Sequence, residues 1–239
     1  MGSYSVSAEA VVGEGCRFGD NVVVEAGAVL GSRVALGHGA VVLGDATLGD
    51  DVEVGPNSLV GKPPRAPAVS RRGAGKGGRL EVGDACCIGA SAVLYSGSVL
   101  GPECYLADLC SLREGCLLGR AVVIGRSAVV ESDVTVGDRA RIMTSAYLAD
   151  ETVIEADAFI GPGVRTTNDR YMGMRTEKTY AGPRVGRAAQ VGAGACLLAG
   201  ITVGEEAVVG MGAVVLRDVP PRRIFAGCPA RDIGPVRRA

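Results

Sequence analysis

The chain has 239 residues and a formal net charge of −1; aromatic residues make up only 4% of it, Trp is absent and Gly reaches 37. A near-neutral balance supplies no long-range attraction for nucleic acid or an anionic membrane surface, and so few rings exclude a core built around aromatics. No apolar run is long enough to cross a bilayer, and the N-terminus lacks a charged segment followed by an apolar one, so a cytoplasmic location is expected.

In chain order, one apolar position recurs every sixth residue. The series starts with Val12, Phe18, Val24, Leu30, Leu36, Val42, Leu48, Val54 and Val60. It breaks over a Gly/Pro-rich segment, 62–79, whose charged residues are all basic (Lys62, Arg65, Arg71, Arg72, Lys76, Arg79). It then runs without a miss from Val82 to Ile160, breaks again over 166–184, and resumes from Val185 to Val215. Pro220 and Pro221 end it, and a basic tail, 220–239, follows. Four residues after each apolar position stands a small, uncharged one, for example Cys86, Ala92, Ser98, Cys104, Cys110 and Cys116. A period of six fits neither a helix nor an alternating strand, so it marks the repeated turn of a solenoid. We therefore expect one all-β domain over 1–239, with two loops thrown out of a continuous coil. The cysteines at the small site fill space; no paired Cys spacing suggests a metal, and none is expected.

Repeats such as Ile160-Gly161-Pro162-Gly163-Val164-Arg165 and Val203-Gly204-Glu205-Glu206-Ala207-Val208 resemble the hexapeptide repeat of acyltransferases that fold as a left-handed parallel β-helix. That resemblance implies three hexads per triangular coil, assembly into a homotrimer, and acetyl-CoA as co-substrate. Two further stretches sharpen it. Thr166-Thr167-Asn168-Asp169-Arg170-Tyr171 resembles the Thr-Asn-Asp loop of N-acetyltransferases acting on nucleotide-linked amino sugars, and Ala226-Gly227-Cys228-Pro229-Ala230-Arg231 resembles their terminal motif. Met172-Gly173-Met174 departs from the Pro-Arg often found after the loop motif, which leaves the acceptor open.

With three hexads per coil, residues three hexads apart stack at ~4.8 Å. One column then holds Tyr95, Arg113, Glu131 and Ala149, and its neighbour Ser96, Glu114, Ser132 and Asp150. The second loop leaves the coil in the same columns, so polar groups are expected to gather on one edge beneath it. Tyr95, Arg113, Glu114, Glu131 and Asp150, with Arg170 and Tyr171 of the loop, are the substrate-binding candidates; a solvated ladder of ion pairs, such as Arg113 with Glu131, is the alternative.

Acyl transfer to an amine needs a neutral nucleophile, an outlet for its proton and donors for the oxyanion. Asp169 is the candidate base and Asn168 the candidate orienting group, unless the amine arrives already neutral. The only histidine, His38, lies about six coils from the loop, roughly 29 Å at one strand spacing per coil, and is read as a corner residue. A γ-type carbonic anhydrase, which shares this kind of repeat, needs three His ligands and is excluded. The resemblance places the pantetheine arm against Gly192, Ala193 and Gly210 near the C-terminal coils, with Arg231 at a CoA phosphate. The basic 62–79 segment is either an arm for a nucleotide pyrophosphate or a plain surface loop. The leading expectation is an acetyl-CoA-dependent N-acetyltransferase for a small-molecule amine, a nucleotide sugar. An N- or O-acetyltransferase for an amino acid or secondary metabolite, and a non-catalytic solenoid scaffold, stay open beside it.

Overall fold

The computed structural model describes residues 3–66, 75, 77–174 and 181–237, and among these all regular structure is strand, mostly two residues long. Each hexad becomes one short strand and one tight corner. Within the strand the first residue points out and the aliphatic residue points in, as in Val29–Leu30 and Val123–Ile124. Three residues after the aliphatic the backbone turns left-handed, with φ of 57° at Asn57, 54° at Ser91 and 61° at Asp157. Such a conformation costs a residue other than Gly roughly 1–2 kcal/mol. Hydrogen bonds between coils offset it: Asn57 N–H donates to His38 O at 2.9 Å, Ser91 N–H to Pro56 O at 2.8 Å and Asp157 N–H to Asp138 O at 2.9 Å. Corners as well as strands therefore satisfy their backbone groups in the adjacent coil.

The structure divides into two compact units, Met1–Ala121 and Val122–Ala239. In the first, parallel pairing stacks Val23 on Val41 and Val41 on Leu59 in one sheet, Val29 on Thr47 in a second, and Arg17 on Ala35 and Ala35 on Glu53 in a third. Across the first insert the register is kept, Leu59 facing Val93 and Thr47 facing Glu81. The tube is filled by Leu48, Val60, Leu80, Ile88, Leu94, Leu100, Leu106 and Leu112, with Cys86, Cys104, Cys110 and Cys116 buried at the small positions. Each buried aliphatic is worth about 1.5–3 kcal/mol, so the hexad repeat is itself the core. The first coil pairs on one side only, which leaves Val11 and Val12 exposed and Cys16 half-buried rather than enclosed.

The second unit repeats the design. Val129 stacks on Tyr147, Tyr147 on Arg165, and Arg165 on Cys196 across the second loop; Ile160 stacks on Val191 and Val191 on Val209. The antiparallel pair Arg223–Ala226 and Arg231–Pro235 extends the last sheet, and Phe225 is buried beneath it.

Two details differ from the sequence reading, and part of each loop lies outside the described residues. Lys62, Thr166 and Arg184, placed at loop ends, lie in the strands Leu59–Lys62, Arg165–Thr166 and Arg184–Val185. Arg71, Arg72 and Lys76 of the insert, and 175–180 of the second loop, fall outside the described residues. The column expected as a polar edge is largely inside: Ser96, Glu114 and Ser132 are buried, and so is Ala149 in the neighbouring column. Burial at Glu114 comes with the insert, since Gly75 rests against its carboxylate, and the buried charge is hydrogen-bonded by Arg113.

Candidate active site

In the first unit, Tyr95, Arg113 and Glu114 come together around the start of the insert. Ser98 Oγ donates to Arg113 O at 2.7 Å and accepts from Cys116 N–H at 3.0 Å, which fixes the corner carrying both charges. Arg113 grips Glu114 with two hydrogen bonds, Nε to Oε2 at 2.9 Å and a terminal nitrogen to Oε1 at 3.0 Å. Its guanidinium lies 4.8 Å from the Tyr95 ring centre, and Lys62 Nζ lies 4.9 Å from it. Gly75, in the middle of the insert, rests on the carboxylate so closely that a Cβ there would come within 2.4 Å of Glu114 Cγ. Buried Glu114 is thus matched by a planar cation that is itself stacked on a ring, a closed arrangement. The far end of the insert is pinned by Arg79, which donates to Thr47 Oγ1 and to Gly27 O.

The second unit holds the loop. Buried Thr166 Oγ1 accepts from Ala149 N–H at 2.7 Å, and Thr152 Oγ1 donates to Ala149 O at 2.6 Å, so the corner that carries Asp150 is locked. Thr167 Oγ1 accepts from Ala199 N–H at 3.0 Å, tying the loop to the next coil. Between these two anchors Asn168 donates Nδ2–H to Asp150 Oδ2 at 2.8 Å, while Ser132 donates its N–H and its Oγ–H to Asp150 Oδ1, each at 3.2 Å. Asn168, Arg170, Tyr171, Ala181, Ala199 and Gly200 line a cavity of about 270 Å³, over which Arg170 donates to Ala199 O at 3.1 Å.

Asp169 does something the sequence reading missed. Its Oδ1 accepts from Tyr171 N–H at 2.8 Å and its Oδ2 from Gly173 N–H at 2.6 Å, so both oxygens organise the turn of the loop. The signal available in the sequence was the aspartate followed by Gly173, a pairing common in turns closed by a carboxylate. Glu131, also a candidate, stands next to Ser132 in the corner that faces Asp150.

His38 lies in the first unit, largely exposed, on an open trough of about 640 Å³ along the third sheet, and its Nδ1 accepts from Asp20 N–H at 2.8 Å. That trough is larger than the loop cavity, but its walls are a sheet face and its corners; the loop cavity has an oriented carboxamide in its wall. Gly192, Ala193 and Gly210 form a half-buried strip of low profile in the second unit. Stacking accounts for Gly192, where a Cβ would meet Met211 N at 2.6 Å, and leaves little room at Gly210, where one would meet Ala226 Cβ at 3.0 Å. Arg231 is exposed and donates to Ala230 O at 3.0 Å. Among the described residues no group of His, Cys, Asp or Glu is arranged to hold a metal ion.

A family model described as bacterial transferase hexapeptide (six repeats) matches residues 27–62, and one described as hexapeptide repeat of succinyl-transferase matches 9–44 and 184–217. With the parallel coils, these matches show that residues 9–62 and 184–217 carry repeats similar to those of the hexapeptide transferases. LpxA from Acinetobacter baumannii shares the fold at a TM-score of 0.51 and 15% identity, over 97% of this chain and 72% of that one. A perosamine N-acetyltransferase from Caulobacter crescentus, solved with CoA and GDP-perosamine, matches at 25% identity and a TM-score of 0.41 over 60% of this chain and 56% of that one. Serine acetyltransferase 3, mitochondrial, of Arabidopsis thaliana is 52% identical over 52 residues, 22% of this chain. The chain spans 13% of the length of that curated relative.

Proposed function

We propose that the chain transfers an acetyl group from acetyl-CoA to the amine of a small acceptor, a nucleotide-linked amino sugar. The observation that carries this reading is the Asn168 carboxamide, held by Asp150 in the wall of the cavity beneath the Thr166–Tyr171 loop. In the reaction the amine nitrogen attacks the thioester carbonyl, a tetrahedral oxyanion forms, and the C–S bond breaks to release CoA as the amide forms. One proton leaves the nitrogen and one is taken up by the sulfur. Asn168 meets the amine. Asp169 can serve as the base only by releasing Tyr171 N–H or Gly173 N–H, so delivery of an already neutral amine fits the loop better. Gly192, Ala193 and Gly210 offer a strip without projecting side chains along which a pantetheine arm can lie, and Arg231 offers a cation for a CoA phosphate. Tyr95, Arg113 and Glu114 enter as supports of the insert, because the guanidinium is already engaged by the carboxylate. We place three such chains in a homotrimer, which light scattering of the purified protein tests directly.

A second reading, transfer to a hydroxyl, is favoured by the short likeness to a serine acetyltransferase. The two separate in one experiment. The protein is incubated with acetyl-CoA and a panel of nucleotide amino sugars, amino acids and hydroxylated analogues, and products are identified by mass before and after hydroxylamine. An amide that survives hydroxylamine supports the leading reading and a cleaved ester the second. No acetylated product from any acceptor would leave a scaffold.

A further inference from the structure

We infer that Asp150 is a positioning residue that fixes which face of the Asn168 carboxamide the substrate meets. The inference rests on the acyl-transfer reading above and deepens it by assigning Asn168 to the nucleophile rather than to the oxyanion. An ionised carboxylate has no hydrogen to give, so its 2.8 Å contact with Asn168 must use the Nδ2 donor of the amide. The planar carboxamide then turns Oδ1 away from Asp150, and no described residue donates to that oxygen. What Asn168 presents is therefore the acceptor Oδ1 beside its second Nδ2–H, and the acceptor is the complement of the N–H of an amine or ammonium group.

The surroundings act in the same direction. Asp150 is held by the Ser132 N–H and hydroxyl on its other oxygen, and its corner is locked through Thr166 and Thr152, so it cannot swing to release the amide cheaply. Asn168 is clamped in its backbone too: Ala181 N–H donates to its carbonyl at 2.9 Å, and neighbouring Thr167 accepts from Ala199 N–H. A carboxylate one hydrogen bond behind the carboxamide repels a developing oxyanion and attracts a positively charged nitrogen. The oxyanion is consequently stabilised by other groups, and the Asp150–Asn168 pair orients the attacking nitrogen.

Two measurements test this independently. The first needs no turnover: the Asn168 side-chain amide signals, assigned in ¹⁵N-labelled protein by loss in Asn168→Ala, are compared in the unmodified protein and in Asp150→Asn. We expect one amide proton shifted downfield in the unmodified protein, from its hydrogen bond to Asp150, and that shift reduced in Asp150→Asn. Signals that ignore the substitution would overturn the inference whatever the enzyme does. The second is a kinetic cycle. Asp150→Asn offers the amide a partner in either orientation and should lower kcat/KM for the acceptor about ten- to a hundredfold, the worth of one hydrogen bond to a charged group, with the KM for acetyl-CoA unchanged. Asp150→Glu, still acceptor-only, should recover part of that loss. Adding Asp150→Asn to Asn168→Ala should cost nothing further. Additive losses would mean that Asp150 acts otherwise than through Asn168 and would sink the inference. Absence of acetyl transfer by the unmodified protein would defeat the acyl-transfer reading instead, and the amide signals would still decide the geometry.

Discussion

Two carboxylates occupy equivalent corners of the hexad repeat, Glu114 in the first unit and Asp150 in the second, and they are used in opposite ways. Glu114 is matched oxygen for nitrogen by a guanidinium, covered by Gly75 and almost wholly buried. Asp150, half-buried, accepts from Ser132 and from the Asn168 carboxamide, and Asn168 lines a cavity. Buried charge matched completely is a structural device. A half-buried charge that accepts from a neutral group with hydrogen-bonding capacity left over, as Asp150 does from Asn168, can aim that group. The corner position therefore tolerates a carboxylate, and its partner decides what the carboxylate does.

The sharpest way to break this contrast is a pair of truncations with opposite expected readouts. Asn168→Ala should lower kcat by about a hundredfold or more, the range for a lost group acting on the proton-bearing nucleophile, and leave the melting temperature nearly unchanged. Glu114→Ala should do the reverse, since it removes the carboxylate that Arg113 grips with two hydrogen bonds. Loss from a fully buried pair is about 3–5 kcal/mol; with Arg113 32% exposed, about 2–3 kcal/mol is expected, read as a lowered melting temperature at near-normal kcat. If Glu114→Ala abolished turnover with folding intact, the first-unit cluster would belong to the chemistry and the contrast would fail.

Asp169 sharpens the comparison further because it is a third carboxylate, tied to backbone N–H groups. Asp169→Asn keeps one acceptor oxygen and loses the charge, so we expect a loss of a few-fold, smaller than for Asn168→Ala. A fall in kcat of about 10²–10⁴ with the acetyl-CoA KM unchanged is the signature of a lost general base, and it would show that the loop lets go of Asp169 during turnover.

The fold was legible because each hexad turns one aliphatic residue of its strand and one small residue into the core, so Val82 to Ile160 records the coil directly. Even the inserts were legible, since strand register resumes across them, Leu59 on Val93 and Thr166 on Leu197. The candidate site was legible only in part. The stacking of columns brought Asp150 beneath Asn168, as the spacing implied. It did not tell that Ser96, Glu114 and Ser132 are buried, because that corner position carries serines and carboxylates alike and so shows no apolar signal. Nor did it separate Asp169 as a turn-former from Asp169 as a base: both uses ask for the same residue next to the same asparagine, and only the Tyr171 and Gly173 N–H contacts distinguish them. The cysteines were read correctly as filler at Cys86, Cys104, Cys110 and Cys116, and burial pushes the Cys110 thiol up to about 12.

The smallest expected effect concerns carboxylates with no corner to enclose them. Asp232, in the terminal hairpin, is gripped by Arg223 through two hydrogen bonds, at 2.9 and 2.8 Å, and accepts from Gly234 N–H at 2.9 Å. The bond from Arg223 first, and the Gly234 N–H second, hold its carboxyl below the ordinary value of 3.8. A carboxyl with a depressed folded-state pKa stabilises the fold in full above its unfolded-state value, and the contribution disappears as pH falls through the lower folded-state value. Asp232→Asn should therefore lower the melting temperature slightly at neutral pH, and the difference from the unmodified protein should close in acid, below pH 3.8. Exposed pairs of this kind are worth little and are screened by salt, so the gap should also shrink in concentrated sodium chloride. A gap that persisted in acid and in salt would mean that the hairpin depends on the shape of Asp232 rather than on its charge.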